Sequence, residues 1–405
     1  MSMSTVHICI VTGQPLANLL PILQLRPTAV VLLVSERMHD EVEPFQRLLQ
    51  GLDWQPRVKA VNGLPDAGVA GIRAWGERVL LEELAEEFDN AEFLLNATGG
   101  NKLMVMALAE VFRELGEQLV YCDTTHGALE YLGPDSDTTA LHADLLDIDS
   151  YLKANRITLR SSKSDDEDWQ ERAGRRKSFT KWLANKVDKL QPILGMLNKV
   201  CHQAGDSNGL LQQPRQQLQR IPRAEFVALL KQAAELGLIE WDDASPEQIE
   251  FCDQDALDYL HGGWLEEWAY WTARDAGARD VRLGCQFTDD GQRKRDVRNE
   301  MDVLVCHNNR LLLIECKTGN LRKYGSDSEV IYKLNSIAAR TGGLFGEAWL
   351  LAAQHLDRER NGRSVSASGR ALASNITPFD GERLKEFSAQ LRVWLAAGTA
   401  INNRS

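Results

Sequence analysis

The chain has 405 residues, 43% hydrophobic and 26% charged, with a formal net charge of −12. That acidity argues against a protein coated by nucleic acid over its whole surface, while leaving room for a local basic groove. Seven scattered cysteines (Cys9, Cys122, Cys201, Cys252, Cys285, Cys306 and Cys316) form no CxxC pair, so neither a disulfide framework nor a zinc site is indicated and a cytoplasmic home is expected.

Domains usually run roughly 100–200 residues, so two or three are expected. No apolar run approaches the ~20 residues that span a bilayer, so no membrane partner is expected. The start, MSMSTVHICIVTG, lacks the regions of a signal peptide.

In chain order, residues 7–12 (HICIVT) and 29–35 (AVVLLVS) read as strands, with a helix beginning near Ala17. Residues 92–97 (EFLLNA) form another strand, followed by TGGNK and the apolar helix LMVMALAEVFREL; EQLVYCD is a further strand. This alternation predicts a parallel sheet with helices on its faces, a first domain at residues 1–155. Residues 161–178 (SSKSDDEDWQERAGRRKS) are highly charged and read as a linker or exposed connection. A helical region, FTKWLANKVDKLQPILGMLNKV, follows. Then AEFVALLKQAAELGLIEWDD, closed by Gly237, leads into a strand, a turn and a second strand. That order fits the last helix and wing of a winged helix, or equally a helical spacer with a hairpin, and marks residues 156–260 as a middle region.

Residues 261–405 return to an α/β pattern. GGWLEEWAYWTARDAG is a helix ending at Gly277; DVRLGCQFT, EMDVLVC and LLLIECK are strands; SEVIYKLNSIAARTG is a helix, and AWLLAA lies in a last α/β stretch. Asn308-Asn309 suits a tight hairpin turn, because Asn tolerates positive φ. A two-residue turn there sets Asp302 opposite Glu315 and Glu300 opposite Lys317, all on one face. Carboxylates about 4.5–5.5 Å apart repel each other unless a cation lies between them. Hard oxygen ligands suit Mg²⁺ or Mn²⁺, which can activate water beside a phosphate, and Lys317 can steady the developing charge.

MDVLV…LLLIECK resembles the PD-(D/E)xK nuclease signature, with Asp302 as the first acid and Glu315-Cys316-Lys317 as its ExK element. The resemblance implies an α/β/α nuclease domain that uses the Cys316 backbone carbonyl as a further metal ligand. It also implies a glutamate from the preceding helix, Glu266 first and Glu267 as the runner-up. Lys333 reads either as a substrate-positioning charge or as a solvated helix lysine. Arg293, Lys294, Arg295, Arg298, Arg322 and Lys323 read as a phosphate track or a solvated loop. Trp264, Trp268 and Trp271, at helical spacing, read as core.

Thr98-Gly99-Gly100-Asn101-Lys102 joins a strand to a helix, where free amides attract phosphate, although GxxxxGK[ST] is absent. VTGQPLANLLP and Ser35-Glu36 follow two other strands at the sheet edge where open α/β folds bind ligands. With the nuclease half, the whole chain resembles the CRISPR-associated CARF-domain nucleases. They join a Rossmann-like CARF sensor to a PD-(D/E)xK domain, sometimes through a winged helix. The resemblance implies a cyclic oligoadenylate activator, cyclic tetra-adenylate first, shared across a homodimer. Thr12, Gly13, Gln14, Asn18, Ser35, Thr98, Gly99, Gly100, Asn101 and Lys102 would form its site. The expected activity is a ligand-gated, Mn²⁺- or Mg²⁺-dependent endonuclease cutting single-stranded RNA or DNA and nicking duplex DNA. Its competitors are a ligand-responsive winged-helix transcriptional regulator without catalysis and an ungated repair nuclease.

Overall fold

The computed structural model describes residues 5–133, 137–222, 224–290, 298–319, 326–341, 346–360 and 363–397. Arg293, Lys294, Arg295, Arg322 and Lys323, and the side chain of Arg298, lie outside the described residues.

The first sheet contains β1 (Thr5–Ile10), β2 (Ala29–Val34), β3 (Arg57–Asn62), β4 (Glu92–Asn96), β5 (Gln118–Asp123), β6 (Ala128–Tyr131) and β7 (Thr138–Ala140). Their order is β3-β2-β1-β4-β5-β6-β7, parallel through β5 and antiparallel beyond it. β2 is a continuous apolar run and β1 is buried from Val6 to Ile10, His7 included, because helices cover both faces. Helices Pro15–Leu25 and His39–Gln50 pack on one face, Val69–Arg78 and Lys102–Glu114 on the other. Edge strand β3 and the β6–β7 hairpin escape the sequence reading, since RVKAVN is half-exposed and carries no clean apolar run.

Past helix Ile148–Ala154 the chain enters β8 (Ile157–Ser162), which pairs antiparallel with a strand of the C-terminal sheet. Residues 161–178 are therefore not an exposed connection. They hold the end of β8 and much of helix Glu167–Asn185, which buries Trp169, Ala173, Phe179 and Leu183. Abundant surface charge hides that apolar stripe in the sequence. Helix Val187–Ala204 follows. Then come β9 (Arg215–Gln217), helix Glu225–Glu235, β10 (Ile239–Glu240) and β11 (Gln248–Phe251), forming a small sheet in the order β10-β11-β9. The helix, strand, turn, strand sequence is present, with Gly237 at φ 69°. Phe226, Leu229, Ile249 and Phe251 share one core with Trp264 and Trp268, so this region packs directly on the C-terminal half.

The second sheet adds β12 (Asp280–Asp289), β13 (Arg298–His307), β14 (Arg310–Lys317) and β15 (Gly346–Ala352). A side hairpin, β16 (Arg358–Arg360) with β17 (Arg363–Val365), precedes β18 (Ile376–Asp380). The order is β18-β15-β14-β13-β12-β8, antiparallel from β8 to β14 and parallel from β14 to β18. Val303, Val305, Leu312 and Ile314 face helix Trp264–Asp275; Leu304, Leu313 and their neighbours face helix Ser326–Thr341. Ile148, Tyr151 and Leu152 share that second core with helices of the first sheet, joining the two halves through apolar contact. Among the described residues no helix is long and apolar enough to cross a membrane.

Candidate nuclease site and ligand turns

The β13–β14 hairpin turns at Asn308 and Asn309, with φ at 50° and 58°, the left-handed pair that a two-residue hairpin requires. Both side chains also reach outward. Asn308 donates to the Leu395 carbonyl at 3.1 Å and Asn309 to the His142 carbonyl at 2.7 Å. Pairing follows the expected register from His307–Arg310 to Val303–Ile314. There it stops, one pair short of Asp302–Glu315. The Asp302 carboxylate enters the gap, its Oδ2 accepting the Cys316 backbone N–H at 2.6 Å. Glu300 does not meet Lys317 as expected; it is exposed and registers with Gln286 of β12.

Lys317 turns instead to both acids. Its ammonium lies 2.7 Å from Glu315 Oε1 and 3.5 Å from Asp302 Oδ2, and it donates to the Cys316 carbonyl at 3.0 Å. Helix Ser326–Thr341 brings the Lys333 ammonium within 3.8 Å of Glu315. Glu315 is only 3% exposed, and its Oε2 is buried with no hydrogen-bond partner. Burial, then repulsion from Glu315, pushes Asp302 up to about 6. Burial, then Asp302, pushes Glu266 up to about 8. Burial works against the Lys317 charge, yet Asp302 and Glu315 hold it above the ordinary lysine range. The cluster is short of positive charge.

Glu266 and Glu267 are separated by the rotation of their helix. Glu267 turns away from the acids, and Arg176 Nε donates to both its oxygens at 3.1 Å. Arg176 also pairs with Asp255 and lies 4.3 Å over the Tyr259 ring. Sequence reasoning misses Arg176 because it falls in the segment read as a linker; the spacing of Trp169, Ala173, Phe179 and Leu183 was the available signal. Glu266 is left on the Asp302 side. Among the described residues no three His, Cys, Asp or Glu side chains group closely enough to hold one ion; Asp302 and Glu315 share Lys317, and Glu266 is near enough to Asp302 to feel its charge. Trp264 and Trp268 are buried and Trp271 packs against the same core, as read from their spacing.

In the first sheet, the turns after β2, β1 and β4 lie side by side. Several of their polar side chains are committed to the fold. Asn18 donates to the Ile10 carbonyl at 2.8 Å and accepts from Asn96 at 3.1 Å. Asn96, absent from the sequence reading, also accepts the Thr98 N–H at 2.9 Å and so ties two turns together. Thr98 Oγ1 accepts the Cys122 N–H at 2.8 Å, and Asn101 caps its helix through the Met104 N–H at 3.0 Å. Ser35 is buried. A Cβ at Gly99 would lie 2.6 Å from Asn18 Oδ1, and Gly100, at φ 85°, lies against Ile10. Gly13 and Lys102 are exposed, and Thr12, Gln14 and Gly100 partly so. Thr12 also borders a cleft of about 910 Å³ lined by Lys153, Arg156, Arg160 and Asp290, between sensor and second sheet.

Residues 6–151 match the family of Card1 CARF domains, and residues 253–386 match the Card1-like endonuclease domain. The chain is a CARF-domain nuclease. The nuclease is similar to protein VC1899 from Vibrio cholerae, at 20% identity and a TM-score of 0.78, over 97% of this chain and 98% of that one. It is also similar to Can2 from Sulfobacillus thermosulfidooxidans, solved in complex with cyclic tetra-adenylate, at 23% identity and a TM-score of 0.74 over 97% of each chain. A type III CRISPR defence DNA nuclease activated by cyclic oligoadenylate is 14% identical, with a TM-score of 0.50, over 87% of this chain and 46% of that one. These likenesses establish the shared fold. No curated protein sequence matches the chain.

Proposed function

We propose that the protein is a cyclic-oligoadenylate-activated, divalent-metal-dependent endonuclease of type III CRISPR antiviral defence, working as a cytoplasmic homodimer on single-stranded RNA or DNA and nicking duplex DNA. The observation that carries this reading is the buried Asp302–Glu315 pair at the frayed end of β13–β14, held by Lys317 with one Glu315 oxygen unpartnered.

An all-oxygen, charge-deficient donor set fits Mg²⁺ or Mn²⁺. Asp302, Glu315 and the Cys316 carbonyl would hold the ion, with Glu266 as the further carboxylate of the PD-(D/E)xK pattern. Bound there, it would supply Lewis acidity and a more acidic water. Lys317 keeps its proton throughout the neutral range and offers N–H donors to the charge that develops on phosphorus. Lys333, beside Glu315, is placed to hold a neighbouring phosphate.

The activator would lie over the turns at Thr12–Gln14, Ser35 and Thr98–Lys102. The Card1 CARF match supports this, and Can2 binds cyclic tetra-adenylate. Two-fold symmetry of such a ring suits an isologous dimer. A route toward the nuclease begins at the Ser35 turn, which leads into helix His39–Gln50. Arg156 donates to the Asp40 carbonyl at 2.9 Å and pairs with Glu41 at 2.7 Å, while its own carbonyl accepts the Asp290 N–H at 2.9 Å just past β12.

One assay panel tests the proposal: RNA, single-stranded DNA and supercoiled plasmid, with and without each cyclic oligoadenylate, in Mg²⁺, Mn²⁺ or chelator. Cleavage that requires both ring and metal is expected. Full activity without a ring would mark an ungated repair nuclease, and specific duplex binding without cleavage would mark a transcriptional regulator.

A further inference from the structure

A lysine from the connection between the two halves approaches the acids across a glycine. β8 and β13 flank β12, and Cys285 of β12 registers with Ser162 on one side and Met301 on the other. The next row therefore runs from Lys163, just past β8, through Gly284 to Asp302. Two strand spacings, about 10 Å, separate the ends of that row, with no side chain between them. Gly284, at φ 62°, keeps the gap open: a Cβ there would stand 2.8 Å from Lys163 Cβ and 3.6 Å from its Cδ. The alkyl stem of Lys163 thus lies along the glycine, and its charge acts on Glu266 more strongly than the Lys317 charge does. Two buried serines fix this segment to β12. Ser162 Oγ donates to the Leu283 carbonyl at 3.2 Å, and Ser164 Oγ accepts the Leu283 N–H at 3.0 Å. Lys163 itself is exposed, and among the described residues its ammonium enters no ion pair or hydrogen bond. Asp165, two residues on, is taken by Arg282 at 3.0 Å.

We propose that Lys163 binds a backbone phosphate of the substrate strand on the Glu266 side of the acids. This deepens the nuclease reading and rests on it. The fold has no other use for the charge, because Arg176 already pairs with Glu267 and Asp255. An unpaired ammonium in water beside an acid cluster is a point charge suited to a phosphate oxygen. Such a contact positions the strand without reading its bases. Lys333 stands at Glu315 and Lys163 acts on Glu266, so lysines from two separate elements flank the acids. β8 begins directly after Arg156, the residue tied to Asp40 and Glu41. One six-residue strand therefore carries a sensor contact before its first residue and the phosphate contact after its last.

The test compares wild type with Lys163→Ala and Lys163→Arg, using the full chain with cyclic tetra-adenylate and Mn²⁺ on a single-stranded oligonucleotide. Lys163 is at the surface, so the variants keep the fold and a thermal melt verifies it. Lys163→Ala should raise KM about tenfold, the scale of one lost hydrogen bond to a charged group, with kcat changed less. Its plot of log KM against log salt should flatten by about 0.7, the share of one phosphate contact on a single strand. Lys163→Arg should restore both. A wild-type KM in Lys163→Ala, or a raised KM with an unaltered salt slope, overturns the contact. So does a change confined to the Mn²⁺ requirement, which would make Lys163 only a counter-charge to Glu266. Absence of cleavage by the wild type would instead remove the nuclease reading itself.

Discussion

The two ends of this molecule handle buried polarity in opposite ways. In the sensor turns the inner polar groups close on one another: Asn18, Asn96 and Thr98 exchange hydrogen bonds, leaving the partly exposed Thr12 and Gln14 and the exposed Asn101 and Lys102 at the rim. At the β13–β14 end, charge is left over: Glu315 keeps an unpartnered oxygen, and Asp302 and Glu266 sit at raised pKa values. A site for a large polar ring profits from a rigid rim, because ordering it beforehand lowers the cost of binding. A site for a small cation profits from unsatisfied negative charge, because only the ion completes it. The contrast makes each region vulnerable to a different substitution.

The largest effect is expected at the charged end. Lys317→Ala and Glu315→Gln should each lower single-turnover cleavage by at least roughly 10³-fold, while calorimetric binding of cyclic tetra-adenylate is unchanged. Comparable cleavage in both variants would break the assignment. Next comes the clamp behind Glu266. Arg176→Met strands the buried Glu267 without its cation, leaves Asp255 to Arg172 alone, and should cost about 3–5 kcal/mol in denaturant unfolding; adding Glu267→Met should recover part of it. At the sensor end, Asn96→Ala removes the tie between two turns. It should weaken ring binding about tenfold, consistent with a penalty of about 1–3 kcal/mol for buried hydrogen bonds lost, while metal-dependent cleavage at saturating ring persists.

The smallest effect is on pH dependence, and its sign follows from the raised acids. Folding raises the affinity of Asp302 and Glu266 for protons, so their contribution to metal-free stability is greatest below the ordinary carboxylate range. It is lost as pH rises through about 6 and about 8. Metal binding needs the ionised forms, so half-saturating Mn²⁺ should fall across the same window. Thermal melts with EDTA or Mn²⁺ at several pH values measure both trends; a flat metal requirement would separate these acids from the ion.

Much of this was legible before any coordinates. The Asn308-Asn309 turn, the register down to Val303–Ile314, the trio Asp302, Glu315 and Lys317, and the TGG turn all rest on local rules: period two in strands, positive φ at asparagine, glycine where a helix begins tight against a strand. Local rules do not reach the point where pairing ends, which depends on a side chain replacing a backbone partner at Cys316. Nor do they choose between Glu266 and Glu267. That choice needs the rotation of helix Trp264–Asp275, set by Arg176 from 91 positions earlier in the chain. The same distance in sequence conceals β8, whose place in the second sheet is decided by its partner β12. Periodicity along a strand or helix is written in neighbouring residues; which element meets which, and how far it is turned, is decided only when distant segments compete for the same core.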